Sequence, residues 1–448
     1  MRTTFTSLVV AAVWASTAAA QQPDSAKADS AARADSLKAD SIRIVRELEG
    51  AAPGAPQPMT PQHTMTPPPN ARLIPDISAI GDFLFDFSPD ESTLEGGERA
   101  QIREVEVGLQ AAVDPYFRAD MFLAVHDEAI HVEEAYLTAM ALPWGLQARI
   151  GRFHMPIGKQ NTTHRPELHT IEYPYIIQRF LGPDGSAGNG LWVSKIFSPL
   201  GFYQELQLTA VDNFTAGEEH GGAHAHDEEG EEEVAASDAA NNRLSGIGYT
   251  ARFRNYWDLN ESTNLEISAS AATQRLAMPI VCLPDTDVHV ASCADFGGPT
   301  GVNARQSVLG ADVTFRWRPL QQGLYKSLIV QGEVMRVLND DNPALPDLPG
   351  ATVFYEGPTR DVTGAYAFAR YQLTRRTYIG ARYDWLQDPV FDDDDFNAVS
   401  GYLTFFPSEF SKIVLGYERL MPAGNDEKIN RFVLQTTFSI GPHRPHPF

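Results

Sequence analysis

The chain has 448 residues, 43% of them hydrophobic and 21% charged, which is enough for a large folded domain and too apolar for disorder throughout. Its 35 Lys+Arg against 58 Asp+Glu leave a formal charge of −23, so most of the surface repels a nucleic-acid backbone and no nucleic-acid partner is expected. Beyond residue 20 no run of about 18 uncharged apolar residues occurs, which excludes a bundle of membrane-crossing helices but not a β-barrel, whose strands alternate.

Arg2, an apolar stretch over residues 8–15 and the small residues Thr17, Ala18, Ala19 and Ala20 read as a secretory signal peptide over residues 1–20. Residues 24–45 repeat every eleven positions, with Asp24/Asp35, Lys27/Lys38 and Ser30/Ser41 in register. Eleven residues in three turns is about 3.67 per turn, the period of a weakly right-handed coiled coil. Residues 21–50 therefore read as a helical, coiled-coil-like periplasmic segment, with a solvated single helix or an unstructured Ala/Asp/Ser tract as the alternative. Residues 53–75 carry eight prolines, so residues 51–75 read as an extended linker. The folded domain occupies residues 76–448.

From Asp76 the dominant signal has period two. Ile77, Ala79, Gly81, Phe83, Phe85 and Phe87 share one face of a strand, and Asp82 and Asp86 lie on the other. The same alternation predicts strands near 104–113, 117–125, 130–141, 146–153, 190–197, 202–212, 245–256, 263–273, 305–318, 327–336, 363–372, 377–386, 396–406, 412–420 and 430–440, about sixteen in all. Tight turns, among them Asp114-Pro115, Pro143-Trp144-Gly145 and Ser198 to Gly201, mostly alternate with long connections, among them 154–189, 213–244 and 274–304. Tyr116, Trp144, Tyr256, Trp257, Trp317, Tyr325, Tyr378 and Phe406 stand beside the tight turns, where an interfacial aromatic girdle belongs. The pattern predicts an all-β fold, a 16-stranded antiparallel transmembrane β-barrel behind the helical stalk and Pro-rich linker. In hydrocarbon every strand N–H and C=O needs a partner, so the sheet must close, and a barrel of this strand count leaves an aqueous channel. Inward positions carry both signs, including Arg118, Asp120, Arg252, Arg254, Asp312, Arg316, Arg370 and Arg382.

At this point the sequence resembles the sixteen-stranded outer-membrane general porins, and most closely the phosphate-selective porin O/P type. The most specific segment is Arg149-Ile150-Gly151-Arg152-Phe153-His154-Met155-Pro156-Ile157-Gly158, which is similar to the strand leading those porins into their third long loop. The resemblance implies homotrimers and a third loop folded into the lumen, with Arg149 and Arg152 near the constriction and Lys159, Arg165 and Arg179 on the loop. The dense Arg/Lys ladder of a phosphate-selective pore is missing, and residues 443–447 break the alternation expected before the terminal Phe448.

The third long loop also holds His154, His164 and His169, and its cations make an anion-concentrating rim or stand as incidental charges on a packed loop. The fourth loop places His220, His224 and His226 among many carboxylates, a candidate metal-capture set or a solvated acidic segment. Cys282 and Cys293 are expected to form a loop-closing disulfide in an exported chain. Spacings for serine-hydrolase, zincin or nucleotide-binding chemistry are absent, so no catalytic residues, no cofactor and no enzymatic activity are expected. The reading is a porin of the bacterial outer membrane, in contact with lipid and lipopolysaccharide, that passes small polar solutes or anions. A metal-binding or substrate-specific outer-membrane receptor is the alternative.

Overall fold

The computed structural model of the protein describes residues 75–441, apart from 90, 95–96, 127–128, 213–245, 286–288, 341, 388–394 and 425–427. The expected signal peptide, helical segment and nearly all of the linker lie outside the described residues. So do His220, His224, His226 and the C-terminal residues 442–448.

Period-two alternation becomes a continuous antiparallel ladder. Its strands are β1 (Asp76–Asp86), β2 (Ala100–Ala112), β3 (Phe117–Val125), β4 (Ile130–Leu142), β5 (Leu146–His154), β6 (Ala187–Phe197), β7 (Tyr203–Val211), β8 (Gly248–Asn260) and β9 (Thr263–Pro284). They continue as β10 (Gly301–Trp317), β11 (Leu328–Asn339), β12 (Ala351–Tyr355), β13 (Val362–Gln372), β14 (Thr377–Gln387), β15 (Asp395–Ser408), β16 (Ser411–Met421) and β17 (Ile429–Ile440). Each wall strand pairs with the next, except that β11 pairs past β12 to β13. The wall closes where β17 meets β1, in register from Ala79↔Ile440 to Asp86↔Val433. Sixteen strands make the wall of a closed antiparallel barrel, and the short β12 lies outside it, paired only to the end of β9.

Closure leaves the two faces of each strand in different surroundings. On β1, Ile77 and Phe85 face outward, while Asp82, Leu84 and Asp86 are buried inside. Leu191, Leu309, Val313, Ile379, Leu415 and Phe432 continue the outward apolar band, too extensive a surface to be stable in water. Tyr116, Trp144 and Tyr325 stand exposed beside short turns. Among the described residues no helix is long and apolar enough to cross a membrane; in this fold the crossing elements are strands.

Two departures from strict alternation have physical causes. The region 274–304, expected as one long loop, is about half ladder: β9 runs on to Pro284, β10 starts at Gly301, and the pairing Gly301↔Pro279 extends them beyond the wall. A small apolar core of Ile280, Val302 and the Cys282–Cys293 disulfide, packed by Leu348 and Val353, stabilises this extension. The second departure is at bulges. Arg103 is the extra residue against Asp82/Phe83, and Glu133 is the extra residue against Phe122/Leu123, so Arg103 and Glu133 join their neighbours Glu104 and Glu134 in contacts inside the barrel.

The loop joining β5 to β6, residues 155–186, folds into the barrel and carries the short helix α1 (Tyr175–Phe180). Met155, Ile157, Leu168, Ile171, Ile176, Ile177 and Leu181 are each at most 2% exposed. They pack on inward residues including Met335, Val337, Tyr366, Leu386, Phe396, Tyr402 and Val433. Full burial of such side chains contributes roughly 1.5–3 kcal/mol each. This inner loop is therefore a packed body inside the barrel, far more firmly seated than a polar flap held by surface ion pairs.

Candidate functional site

The inner loop is tied to the wall at several separate strands. Toward β9 and β11, Lys159 Nζ donates to Glu266 (2.8 Å), and the Lys159 and Gln160 amides donate to Glu333 (3.0 and 2.9 Å). Gly158 turns there with φ 62°, and a Cβ at that position would strike Glu333, so the close approach requires glycine. Toward β14 and β16, the Tyr175 amide donates to Asp384 (3.0 Å), and Lys412 donates to the carbonyls of Pro166 (2.7 Å) and Leu168 (3.1 Å). Toward β17 and β2, Glu172 pairs with Arg431 (3.3 Å) and Arg103 (3.1 Å), and Arg103 also binds Asp82. Burial works against the Glu172 charge, but the two guanidiniums outweigh it and hold the carboxyl down at about 2.

Near β2 and β4, His164 sits among carboxylates. Its Nδ1 lies 2.8 Å from Glu106 and 3.0 Å from Glu133, and its Nε2 lies 3.0 Å from Glu134. Burial opposes a charge on this imidazole, yet the three carboxylates hold its pKa well above the usual histidine value.

The space that the loop does not fill is a cavity of about 1640 Å³ on the β3–β10 side, reaching the short turn at Ser198 and Phe202. Six cations (Arg118, Arg149, Lys159, Arg252, Arg254, Arg316) and six carboxylates (Asp120, Glu134, Glu167, Glu205, Asp258, Glu266) line it, a formal balance of zero with histidine neutral. Most are paired: Arg118 with Asp120 (2.8 Å), Arg254 with Glu205 (2.9 Å), and Lys159, Arg254 and Arg316 with Glu266. Arg149 differs. Its guanidinium stacks on Trp192 (4.4 Å) and Tyr136 (4.8 Å), and among the described residues no carboxylate lies in ion-pair range. A cation–π contact contributes about 0.5–2 kcal/mol without neutralising charge, so this cation faces the cavity with its field intact. Burial pushes the Lys159 amine down to about 8, with Glu266 pulling the other way. A second cavity of about 520 Å³ shares Glu167, Tyr256 and Arg316 with the first and is lined by Arg370 and Lys412.

The residues expected at the constriction separate into two groups. Arg149 and Lys159 line the large cavity. Arg152 takes the parity of the exposed Ile150, pairs with Ala135 and Asn189, and does not line it. Arg165 is bound within the loop to Asp184 and the Pro183 carbonyl, and Arg179 is exposed on α1; neither lines the cavity. Alternation turns Arg152 away from the large cavity, and local ion pairing holds Arg165 on the inner loop itself. Of the inward charges, Arg118, Asp120, Arg252, Arg254 and Arg316 line the large cavity and Arg370 the smaller one. Asp312 is buried against Arg252 (3.0 Å), and Arg382 against Asp384 (2.7 Å).

Sequence reasoning missed Glu106, Glu133, Glu134, Glu172, Glu333 and Lys412 as anchors of the loop. The adjacent acids Glu133-Glu134 were a readable signal, since two neighbouring carboxylates on an alternating strand imply a bulge.

No family model matches the sequence. A protein of Aquifex aeolicus described as uncharacterized is 25% identical over 408 residues, spanning 84% of this chain and 80% of that protein. Among solved structures, OprB of Pseudomonas putida aligns over 82% of this chain and 94% of its own, with TM-score 0.51 and 10% identity. The outer membrane channel DcaP of Acinetobacter baumannii aligns over 82% and 96%, with TM-score 0.48 and 10% identity. An anion-selective porin from Comamonas acidovorans aligns over 82% and 99%, with TM-score 0.48 and 8% identity. The likeness to OprB shows a common barrel fold.

Proposed function

We propose that the chain is an outer-membrane porin, through which small hydrophilic solutes diffuse along the charged side of the lumen. The observation that carries this reading is the cavity of about 1640 Å³ lined by six cations and six carboxylates inside a closed barrel whose outer band is apolar. A wall that keeps ion pairs wet is suited to hydrated solutes, because charge at a water-filled surface costs little. Anion preference is modest on this reading, since the twelve lining charges together balance to zero, and it is centred on Arg149, the lining cation stacked on aromatic rings instead of a carboxylate. The barrel assembles as a homotrimer in contact with lipopolysaccharide, its 21–50 segment in the periplasm, and performs no catalysis.

Liposome swelling tests the proposal. Vesicles containing the folded barrel should admit small sugars at rates that fall with solute size, and should carry an anion-favouring reversal potential in a salt gradient. Vesicles as tight as protein-free controls, with the barrel shown to be folded and inserted, would contradict it.

A further inference from the structure

We infer that Glu106, Glu133 and His164 form a divalent transition-metal site that clamps the inner loop to the barrel wall. The three residues arrive from separate elements, β2, β4 and the inner loop, and their ligand atoms all lie within 4.8 Å of one another. His164 is 2% exposed and Glu106 4% exposed, so the cluster is enclosed. Nε2 lies 3.0 Å from Glu134, so an ion that displaces the Nδ1 proton would meet the Nδ1 lone pair directed at Glu106 and Glu133 while Nε2–H stays bound to Glu134. That carboxylate–histidine arrangement is the support a metal-bound imidazole uses, with Glu134 as the orienting partner.

Two further observations favour a cation here. Both ring nitrogens of His154 are shut off from solvent without a hydrogen-bond partner, and this ring packs edge-on at 5.2 Å from that of His164. Charge gives the second. Three carboxylates surround a single imidazole, so even with His164 protonated the group carries two negative charges in excess. Buried charges of one sign are retained only with compensation, and a divalent ion supplies it. Imidazole nitrogen with carboxylate oxygens suits zinc and its first-row neighbours better than calcium or magnesium. Glu134 and His154 also line the large cavity, which gives an ion a route to the site.

Zinc chloride is the probe. The full-length barrel, stripped with chelator and then equilibrated with micromolar zinc, should retain one zinc per chain by elemental analysis. Glu106→Gln/Glu133→Gln should lower zinc affinity at least tenfold, while His220→Ala/His224→Ala/His226→Ala should keep that zinc. A cobalt titration of the wild-type barrel should give visible d–d bands saturating at one equivalent, a readout that needs no variant to fold. Absence of zinc and of cobalt bands in the wild type would overturn the inference, as would a folded Glu106→Gln/Glu133→Gln variant binding zinc as the wild type does. Conductance enters none of these readings, so the metal site and the porin reading stand or fall separately.

Discussion

From β3 to β10 the inner wall presents arginines and carboxylates to an open cavity, whereas from β11 round to β1 it presents Met335, Tyr366, Leu386, Phe396 and Val433 to the packed inner loop. Both halves obey the same outward alternation and the same ladder. The difference is confined to what the inward parity carries. Strand number therefore fixes how wide the barrel is, and the inward side chains decide how much of that width stays open.

Breaking the packed half should have the largest effect. Ile176→Asp places a carboxylate among buried apolar groups at a position that is 0% exposed and should weaken loop docking by more than about 4 kcal/mol. The wall keeps its hydrogen bonds, so heat-modifiable gel migration should persist while single-channel conductance rises several-fold. Next in size, Glu172→Gln strips Arg103 and Arg431 of a common partner, a loss of about 3 kcal/mol in docking. Protease cleavage within residues 155–186 should report it.

Glu172 also gives the comparison a pH axis. Its carboxyl is depressed to about 2, so its stabilisation is fully present above the ordinary glutamate pKa and is lost as pH falls from about 4.5 toward 2. Protease access to the wild-type loop should increase over that window. In Glu172→Gln this group no longer contributes to the change.

On the open half the effects are smaller and concern selectivity. Arg149→Gln should shift the reversal potential toward cations without altering barrel stability. With the Lys159 amine at about 8, raising pH from about 7 to 9 should reduce anion preference, and Lys159→Gln should remove this pH dependence. Cys282→Ser/Cys293→Ser should change conductance least, because the disulfide lies in the β9–β10 extension beyond the wall. Loss of this short loop closure costs about 3 kcal/mol, read as faster proteolysis of that extension alone.

The wall was legible because one residue of slip would turn Phe83 and Phe85 inward and Asp82 outward, so β1 admits a single register. Local alternation also placed Arg118, Arg252 and Arg316 on the inner face. The contents of the lumen were less legible. Residues 154–189 invite reading by their charges, yet Ile171, Ile176, Ile177 and Leu181 carry the packing, and such density of apolar residues in a loop is itself a sign of burial. Arg165 and Arg179 could not be assigned from sequence, since loop geometry, not periodicity, determines where they point. Neither could the meeting of Glu106, Glu133 and His164, which depends on a bulge and on a loop folding back across the barrel.

Single-channel recording from the purified wild type in a planar bilayer, beside Ile176→Asp, tests the central claim most directly. Discrete conducting steps in the wild type and larger steps in the variant are the predicted result. Folded, inserted wild-type barrels that pass no current, or steps of equal size in both proteins, would contradict a conduit left open beside a packed inner loop.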